Sequence, residues 1–237
     1  MATPYAIIEL ESAESTQDEA RSRSNPITPT LVIAENQPAG RGRLGRSWVE
    51  PDQALFSSLA FGPVWPLRAW NRIPLVAGLA VREAIEKVCG ITAGLRWPND
   101  LVTENGKIGG LLAESGDGIV VVGCGINMTW TDPINGAAAL FAPGSEVVPA
   151  RDLAVAWVDR FLELMTRPRD AWGADEYRRA CVTVGHLVSY PSGSGMATGI
   201  SDDGALLVAT DGGIVAVDSG EVRLHKPATL PEDRRGT

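Results

Sequence analysis

Cysteine and histidine are scarce in this sequence. The three cysteines, Cys89, Cys124 and Cys181, are widely spaced and form no CxxC pair, which argues against a disulfide framework and against a zinc site. The two histidines, His186 and His225, are also far apart in the sequence. Few residues are therefore available to form a His-rich metal site or a Ser-His-Asp triad. We therefore predict no metal-ligand set, and the unpaired thiols favour a reducing compartment such as the cytoplasm.

Long apolar runs and an excess of positive charge are missing as well. No stretch of about 18 residues is uninterruptedly apolar, so no transmembrane helix is expected, and the N-terminus lacks the basic and apolar segments of a signal peptide. The formal net charge is −8 and the pI is about 4.9, so we expect neither DNA nor a membrane as a partner. Any anion site must be a local basic cluster.

The 237 residues suit one large domain and one small one. Up to about residue 182, short apolar runs typical of strands alternate with amphipathic segments typical of helices, such as 74–89 and, after Pro168, roughly 170–181. Later apolar runs are all short and broken by Gly and Asp, which is typical of a small β-barrel. The sequence therefore predicts a large domain at 1–182, a small β-domain at 183–229 and a disordered tail at 230–237.

The most informative segment is AGRGRLGRSW at 39–48. Its glycines allow backbone amides to approach a ligand closely, and its arginines, Arg41, Arg43 and Arg46, supply forked donors for carboxylate or phosphate. Three like charges this close together repel one another unless an anion joins them. We therefore expect a loop that is mobile when empty, because its arginines have no partner, and ordered when an anionic ligand binds.

Other interpretations of this loop are open. Gly40, Gly42 and Gly45 match the G-x-G-x-x-G dinucleotide fingerprint, but the segment runs into SWVEP and a strand instead of an apolar helix. A solvated basic loop, or an RGG-like contact to nucleic acid, is the plainer possibility.

Two downstream motifs place polar groups at strand ends. RWPNDL puts Asn99 and Asp100 directly after a proline, where they can orient a nucleophile or a metal-bound phosphate, or simply form a turn. NGKIGGLLAE puts Lys107 at the start of an apolar strand, beside Gly109 and Gly110, which permit close approach. Only three of the 21 basic residues are lysine, which favours a need for a compact ammonium over an ordinary lysine after an Asn-Gly turn.

Two more segments carry candidate ligand groups. ESTQDEA begins a helix, where Ser15, Thr16 and Gln17 can hold a polar ligand, although Ser15 or Thr16 can equally cap the helix. GCGINM ends an apolar strand with Asn127.

In this order, the segments resemble the motifs of the biotin–protein ligase family. The set is ST-Q, then Q-x-AGRGR-x-GR-x-W, RWPND, GKIGGLL-E and G-x-GIN, and it spans residues 14–128. The resemblance implies an α+β fold, in which a mixed sheet flanked by helices, akin to class II aminoacyl-tRNA synthetases, precedes a small SH3-like β-barrel. It also implies ATP-dependent activation of biotin to biotinyl-5′-AMP, followed by transfer to a lysine of a carboxylase biotin carrier domain.

The same resemblance implies roles for individual residues. Implied biotin contacts are Ser15, Thr16, Gln17, Gln37, Arg41, Gly42, Arg43 and Lys107. Implied contacts to ATP or the adenylate are Arg43, Arg46, Trp48, Asn99 and Asn127. The implied catalytic residues are Lys107, Arg41, Arg43 and Asp100, with Asp100 facing the carrier lysine. The implied small molecules are ATP, Mg²⁺ and biotin, the implied protein partner is a biotin carrier, and the chain is expected to be a monomer or a weak homodimer.

Three positions depart from the family pattern. Gln17 stands where asparagine is frequent, Leu44 interrupts the arginine loop, and His225 stands where many members have an arginine that contacts ATP, a contact for which Arg223 could substitute. The first motif begins at Ser15, so no helix-turn-helix domain is expected before it. The alternatives are a lipoate ligase or octanoyltransferase of the same superfamily, against which the arginine loop argues, and a nucleic-acid-binding module, against which the acidic balance argues.

Overall fold

The computed structural model describes residues 4–225 except 26 and 219. The described residues form a seven-stranded mixed sheet and a five-stranded antiparallel sheet. The predicted tail at 230–237 lies outside the described residues. Among the described residues, no helix combines the length and the apolar character needed to cross a bilayer.

The large sheet contains the strands that carry the polar motifs of the sequence. Its strands are β1 (Ala6–Ser12), β2 (Thr30–Asn36), β3 (Gln53–Phe61), β4 (Gly94–Arg96), β5 (Asp100–Thr103), β6 (Gly106–Gly116) and β7 (Ile119–Thr129). Their order across the sheet is β1-β2-β3-β7-β6-β5-β4, and only β1 and β2 pair in parallel. Strand β5 was not predicted from the sequence: after Pro98 the chain reverses, so that Asp100 begins a new strand that pairs with both β4 and β6.

Two long helices cover one face of this sheet. They are α2 (Ile73–Cys89) and α3 (Ala150–Met165), and the shorter helices are α1 (Thr16–Ser22) and α4 (Ala174–Ala180). The apolar stripe of α3 is almost completely buried: Leu153, Trp157, Phe161 and Leu164 are at most 1% exposed. Burying such a stripe against the sheet supplies the main stabilisation of an amphipathic helix.

The helix predicted at roughly 170–181 is shorter than expected. The chain forms a 3-10 turn at Arg169–Ala171 and only then α4. Gly173 separates the two because its φ is 106°, a left-handed conformation that no right-handed helix can include.

The small sheet is built from five short strands. They are β8 (Leu187–Tyr190), β9 (Gly193–Ile200), β10 (Leu206–Thr210), β11 (Gly213–Val217) and β12 (Arg223–Leu224), in the order β11-β10-β9-β8-β12. Its buried side chains, among them Val188, Ile200 and Leu206, continue the core of the large unit.

The turn between β9 and β10 docks the small sheet onto the large unit. Asp203 in this turn pairs with Arg72, which is only 7% exposed, and the Gly204 carbonyl accepts a hydrogen bond from Trp97 Nε1 at 3.0 Å. Gly204 has a φ of 87°, and a Cβ there would lie 2.6 Å from Leu75 Cδ1 on α2. Both the backbone and the packing therefore require glycine at this contact.

We expect Gly204→Ala to destabilise the protein more than Gly118→Ala. Both glycines have a positive φ, but a Cβ at Gly118 meets nothing within 4 Å. The left-handed backbone costs about 1–2 kcal/mol in each variant, and the clash with Leu75 adds about 1–3 kcal/mol in Gly204→Ala alone. Urea unfolding measures both, and equal losses in free energy of unfolding would show that the turn is not tightly docked.

Candidate active site

A cavity of about 900 Å³ lies on the large sheet between the 39–48 loop and the small sheet. Trp157 of α3 donates to Ser57 on one face of β3, whereas Thr16 of α1 bonds Ser58 on the other. The cavity therefore occupies the face opposite α2 and α3. Every site residue predicted from the sequence lines it, with the exception of Asn127.

The floor of the cavity lacks side chains where β6 pairs with β7. Three glycines form it: Gly110, Gly123 and Gly125. A Cβ at Gly123 would lie 2.8 Å from Gln17 Oε1, one at Gly125 would lie 3.0 Å from the Trp48 ring, and one at Gly110 would lie 3.3 Å from Lys107 Nζ. Each glycine thus makes room for one polar or aromatic side chain on the sheet. The sequence analysis identified Gly110 but not the other two, although their alternate spacing in one strand puts them on one face.

One end of the cavity holds a buried network of hydroxyl and amide groups. Gln37 Oε1 accepts hydrogen bonds from the Thr16 backbone N–H at 2.8 Å and from Thr16 Oγ1 at 2.9 Å, and Ser58 Oγ lies 2.9 Å from Thr16 Oγ1. Ser15 precedes the helix, but no side-chain capping bond is formed there within the described residues. The plain helix-cap interpretation of Ser15 and Thr16 is therefore wrong, since the Thr16 hydroxyl is held by Gln37.

The Gln17 amide has a fixed orientation. Its Nε2 lies within 3.3–3.4 Å of three acceptors: Leu112 O, Glu114 Oε2 and Val121 O. Its Oε1 is buried and has no hydrogen-bond partner among the described residues. Because a buried acceptor of this kind is costly to leave unpaired, this position fits a ligand that brings an N–H or O–H donor.

An ion pair occupies the centre of the cavity. Lys107 Nζ lies 2.6 Å from Asp100 Oδ1, and the two side chains are 37% and 21% exposed. Asn99 is tied to β6 by a hydrogen bond from its Nδ2 to Leu111 O at 2.9 Å. An arriving anion would therefore meet a lysine that is already positioned and can share its donors.

The arginines of the 39–48 loop have partners, contrary to the expectation from sequence. Arg41 makes two hydrogen bonds to the Asp18 carboxylate, at 2.7 and 2.6 Å, and Arg46 pairs with Glu221 at 2.7 Å. For Arg41 and Arg46 the prediction of unpaired charges was wrong, because these carboxylates come from α1 and from the segment between β11 and β12. The change in loop mobility on ligand binding stays a prediction.

Arg43 differs from its two neighbours because no carboxylate pairs with it within the described residues. Its guanidinium donates to Asn99 Oδ1 at 2.9 Å and to the Gly220 carbonyl at 3.1 Å. It is half-buried, and burial lowers its pKa, although the nearby Asp100 opposes that shift. An anionic ligand would therefore offset a real desolvation cost at this position.

Trp48 and Asn127 lie in different surroundings, although both were predicted to contact adenosine. Trp48 covers Gly125 with its ring, and its buried Nε1 has no partner in the described part of the chain. Asn127 lies beneath the cavity surface, where its Nδ2 donates to Ala138 O at 2.7 Å. Its role in ligand contact stays a prediction.

The far rim belongs to the small sheet. Both histidines and Arg223 line the cavity, and His225 Nε2 is hydrogen-bonded to Ser189. No three His, Cys, Asp or Glu side chains converge into a metal site anywhere in the described ranges.

Comparison with known proteins agrees with this site. The sequence matches the biotin/lipoate A/B protein ligase family over residues 9–128 and the biotin protein ligase C-terminal domain over residues 191–224. The chain therefore belongs to the biotin/lipoate A/B protein ligase family.

Individual relatives place it on the biotin side of that family. It is 33% identical to a biotin–acetyl-CoA-carboxylase ligase of Mycobacterium tuberculosis, over 83% of this chain and 79% of the relative. It is 30% identical to the enzyme of the same name from Paracoccus denitrificans, over 90% and 98%. The biotin protein ligase of Aquifex aeolicus, solved with biotin and ATP, superposes with a TM-score of 0.81 at 28% identity, covering 94% of this chain and 99% of that one. The predicted family, ligase activity and α+β fold with an SH3-like unit are confirmed.

We expect Arg41→Ala to raise the pKa of Asp18. The hydrogen bonds from Arg41 hold that pKa below its ordinary value, near 3.9, so their loss should return it towards that value. Carbon NMR titration of the carboxyl group measures the change, and Arg46→Ala is the control because Arg46 binds Glu221 instead.

The lowered pKa of Asp18 determines how the stability of the fold depends on pH. The ion pair stabilises the fold above the unfolded pKa of Asp18, and this contribution is lost as the pH falls through the lower folded value. Both side chains are well exposed, at 41% and 60%, so screening keeps the effect below about 1 kcal/mol. An unchanged Asp18 titration in Arg41→Ala would contradict the pairing.

Proposed function

We propose that this chain activates biotin with ATP and transfers it to a lysine of a biotin carrier domain, using the cavity on the large sheet. The observation that carries this assignment is the glycine floor, which aligns the Gln17 amide, the Trp48 ring and the Lys107–Asp100 pair along one face. The names of the relatives, and the biotin and ATP bound to the Aquifex aeolicus enzyme, support the same substrates.

The first half-reaction joins two anions. A biotin carboxylate oxygen attacks the α-phosphorus of ATP, the bond from that phosphorus to the bridging oxygen breaks, and pyrophosphate leaves with the electron pair. The product is the mixed anhydride biotinyl-5′-AMP. Such a step needs fixed cations that neutralise the reactants and the charge that moves between them.

Lys107 and Arg43 are the cations that we assign to this step. Lys107 has a compact ammonium with three donors, and its position beside Gly110 leaves it open to the cavity floor. Arg43 offers a fork that lacks a carboxylate partner among the described residues. We infer that Lys107 is shared between the biotin carboxylate and the α-phosphate, and that Arg43 binds the same phosphate.

The Gln17 end of the cavity fits the ring of biotin. The ureido group of biotin carries N–H donors and a carbonyl acceptor. The unpaired Gln17 Oε1 would accept from an N–H, while the Ser15 hydroxyl would donate to the carbonyl. The Thr16 hydroxyl donates to Gln37 Oε1, and its remaining acceptor capacity would face the ring. The longer amide of glutamine therefore fulfils the role that the family pattern gives to asparagine.

Trp48 and the small sheet would enclose the nucleotide. We assign the Trp48 ring, with its unpaired Nε1, to the adenosine, and Arg46 and Arg223 to the outer edge of the adenylate. A mixed anhydride hydrolyses in water, so the 39–48 loop, linked to the small sheet through Gly220 and Glu221, would also shield the intermediate.

The second half-reaction requires a neutral amine. The carrier lysine attacks the carbonyl carbon of the anhydride, AMP leaves, and the amine loses a proton. We propose that Asp100 orients this lysine and accepts that proton once the intermediate has drawn Lys107 away from it.

We propose that Mg²⁺ enters with ATP. Asn99 and Asp100 line the cavity with side-chain oxygens, and Asp100 is already paired with Lys107. These groups fit a metal that is held mainly by phosphates and water, as Mg²⁺ commonly is, and that adds positive charge at the phosphates. The free state of all three cysteines supports a cytoplasmic location.

The test is release of pyrophosphate from ATP with and without biotin, in the wild type and in Lys107→Ala. We expect release only when biotin is present, and a rate about 10²–10³-fold lower in the variant, because one donor to the developing charge is lost. Lys107→Arg should rescue poorly, since a planar fork does not replace a point charge.

The control for this test is Lys87→Ala, an exposed lysine of α2, which should keep the wild-type rate. Circular dichroism confirms folding of every variant. Release that does not depend on biotin would refute the activity, whereas a fully active, folded Lys107→Ala would refute only the role of that lysine.

Substitutions at two floor glycines should affect the binding of the two substrates differently. We expect Gly123→Ala to raise the KM for biotin, because its Cβ would crowd the Gln17 amide, and Gly125→Ala to raise the KM for ATP, because its Cβ would displace the Trp48 ring. An overpacking cost of 1–3 kcal/mol corresponds to roughly 5–100-fold in each KM.

Gly116→Ala is the matched control for both glycine variants. It lies in β6, outside the cavity lining, and its Cβ would meet only Arg21 at 3.5 Å. Steady-state kinetics with each substrate varied in turn gives the answer. If both glycine variants raised both KM values equally, the two ends of the floor would not be separate subsites.

A further inference from the structure

Arg96 lies on the cavity face of the sheet but has no role in the assignments above. In the register of the sheet, Gly125 pairs with Gly110, Gly110 with Asp100, and Asp100 with Arg96. Cross-strand partners share a face, so these four residues form one row across β7, β6, β5 and β4. Arg96 is the last member of the row and lines the cavity.

The Arg96 guanidinium has no counter-charge in the described part of the chain. Its Nε is shielded from solvent and has no hydrogen-bond partner there, and its cross-strand neighbour Asp100 is engaged by Lys107 at 2.6 Å. The side chain is half-buried. Partly burying a cation without a partner costs free energy. An anion bound at this position would recover part of that cost.

The position of Arg96 in the sheet indicates which anion would bind there. It lies three strands from Gly125 and the Trp48 ring above it, which is roughly 14 Å at interstrand spacings of about 4.8 Å. Lys107 lies between them. A nucleotide with its base on Trp48 and its α-phosphate at Lys107 would direct its remaining phosphates towards β4.

We propose that Arg96 binds the β- and γ-phosphates of ATP and therefore the pyrophosphate that leaves. This proposal rests on the proposed function, since it assumes that ATP is the nucleotide. Arg96 would hold the leaving group in line with the attacking carboxylate, while Lys107 and Arg43 act at the α-phosphate. It would have no part in the second half-reaction, because pyrophosphate has then left.

The experiment is biotin-dependent exchange of labelled pyrophosphate into ATP, with the wild type, Arg96→Met and Arg96→Lys. Methionine keeps an unbranched apolar stem without the charge, so Arg96→Met should fold. We expect the KM for pyrophosphate and the KM for ATP to rise about ten- to hundredfold in Arg96→Met, the value of a charged hydrogen bond. Arg96→Lys should fall between this variant and the wild type, because it keeps a charge but loses the fork.

Two further measurements separate this role from others. The KM for biotin should stay within about twofold of wild type in both variants, and so should transfer from preformed biotinyl-5′-AMP to a biotin carrier domain. Arg68→Ala is the matched control, since Arg68 is exposed and lies outside the cavity, and it should match the wild type in every assay.

Each outcome is decisive. Unchanged KM values for pyrophosphate and ATP in Arg96→Met would overturn the proposal. A lower rate of transfer from preformed biotinyl-5′-AMP, with no other change, would also overturn it, because Arg96 would then act at the carrier. If Arg96→Met does not fold, a KM for pyrophosphate in Arg96→Lys equal to that of the wild type overturns it. Absence of biotin-dependent exchange in the wild type would instead refute the proposed function itself.

Discussion

The close pairing of β6 with β7 through glycine is the constraint on which the cavity depends. Gly110 and Gly125 are direct partners, so no side chain rises from the sheet where the two strands meet. The Trp48 ring and the Lys107 ammonium lie directly on this bare backbone, and Gln17 lies on Gly123 in the same way. A substrate can therefore contact backbone and functional groups together, on a floor set by two hydrogen-bonded strands.

Charge in the cavity is organised as pairs that a ligand can share. Lys107 is held by Asp100, Arg41 by Asp18 and Arg46 by Glu221, which lets a protein of net charge −8 keep a cluster of cations without strong mutual repulsion. Cations fixed in advance need little reorganisation when charge develops on a ligand. The pairing also has a cost, because an anion must compete with carboxylates already in place. Arg43 and Arg96 have no carboxylate partner within the described residues, so an anion meets no such competition there.

The sequence predicts large helices and most of the side chains that come to line the cavity, because both depend on local patterns. Helical periodicity located α2, and the spacing of Arg, Gly and Lys motifs led to the family. The partners of these residues were not predictable in the same way. Asp18 precedes Arg41 by 23 residues, and Lys107 meets Asp100 only because β5 and β6 pair with a register shift between Leu101 and Val102. Strand β5 itself was missed, since four residues after a proline carry too little periodicity to identify a strand.

The small sheet is part of the cavity wall and not only an appendage. Its docking turn holds Asp203 against the buried Arg72, and this contact fixes where the segment around Gly220 and Glu221 can meet the arginine loop. Because one loop thus spans α1, the large sheet and the small sheet, a shift of the small unit would change the position of Arg43. The geometry of the cavity around Arg43 therefore depends on the packing of the small sheet as much as on the residues that line it.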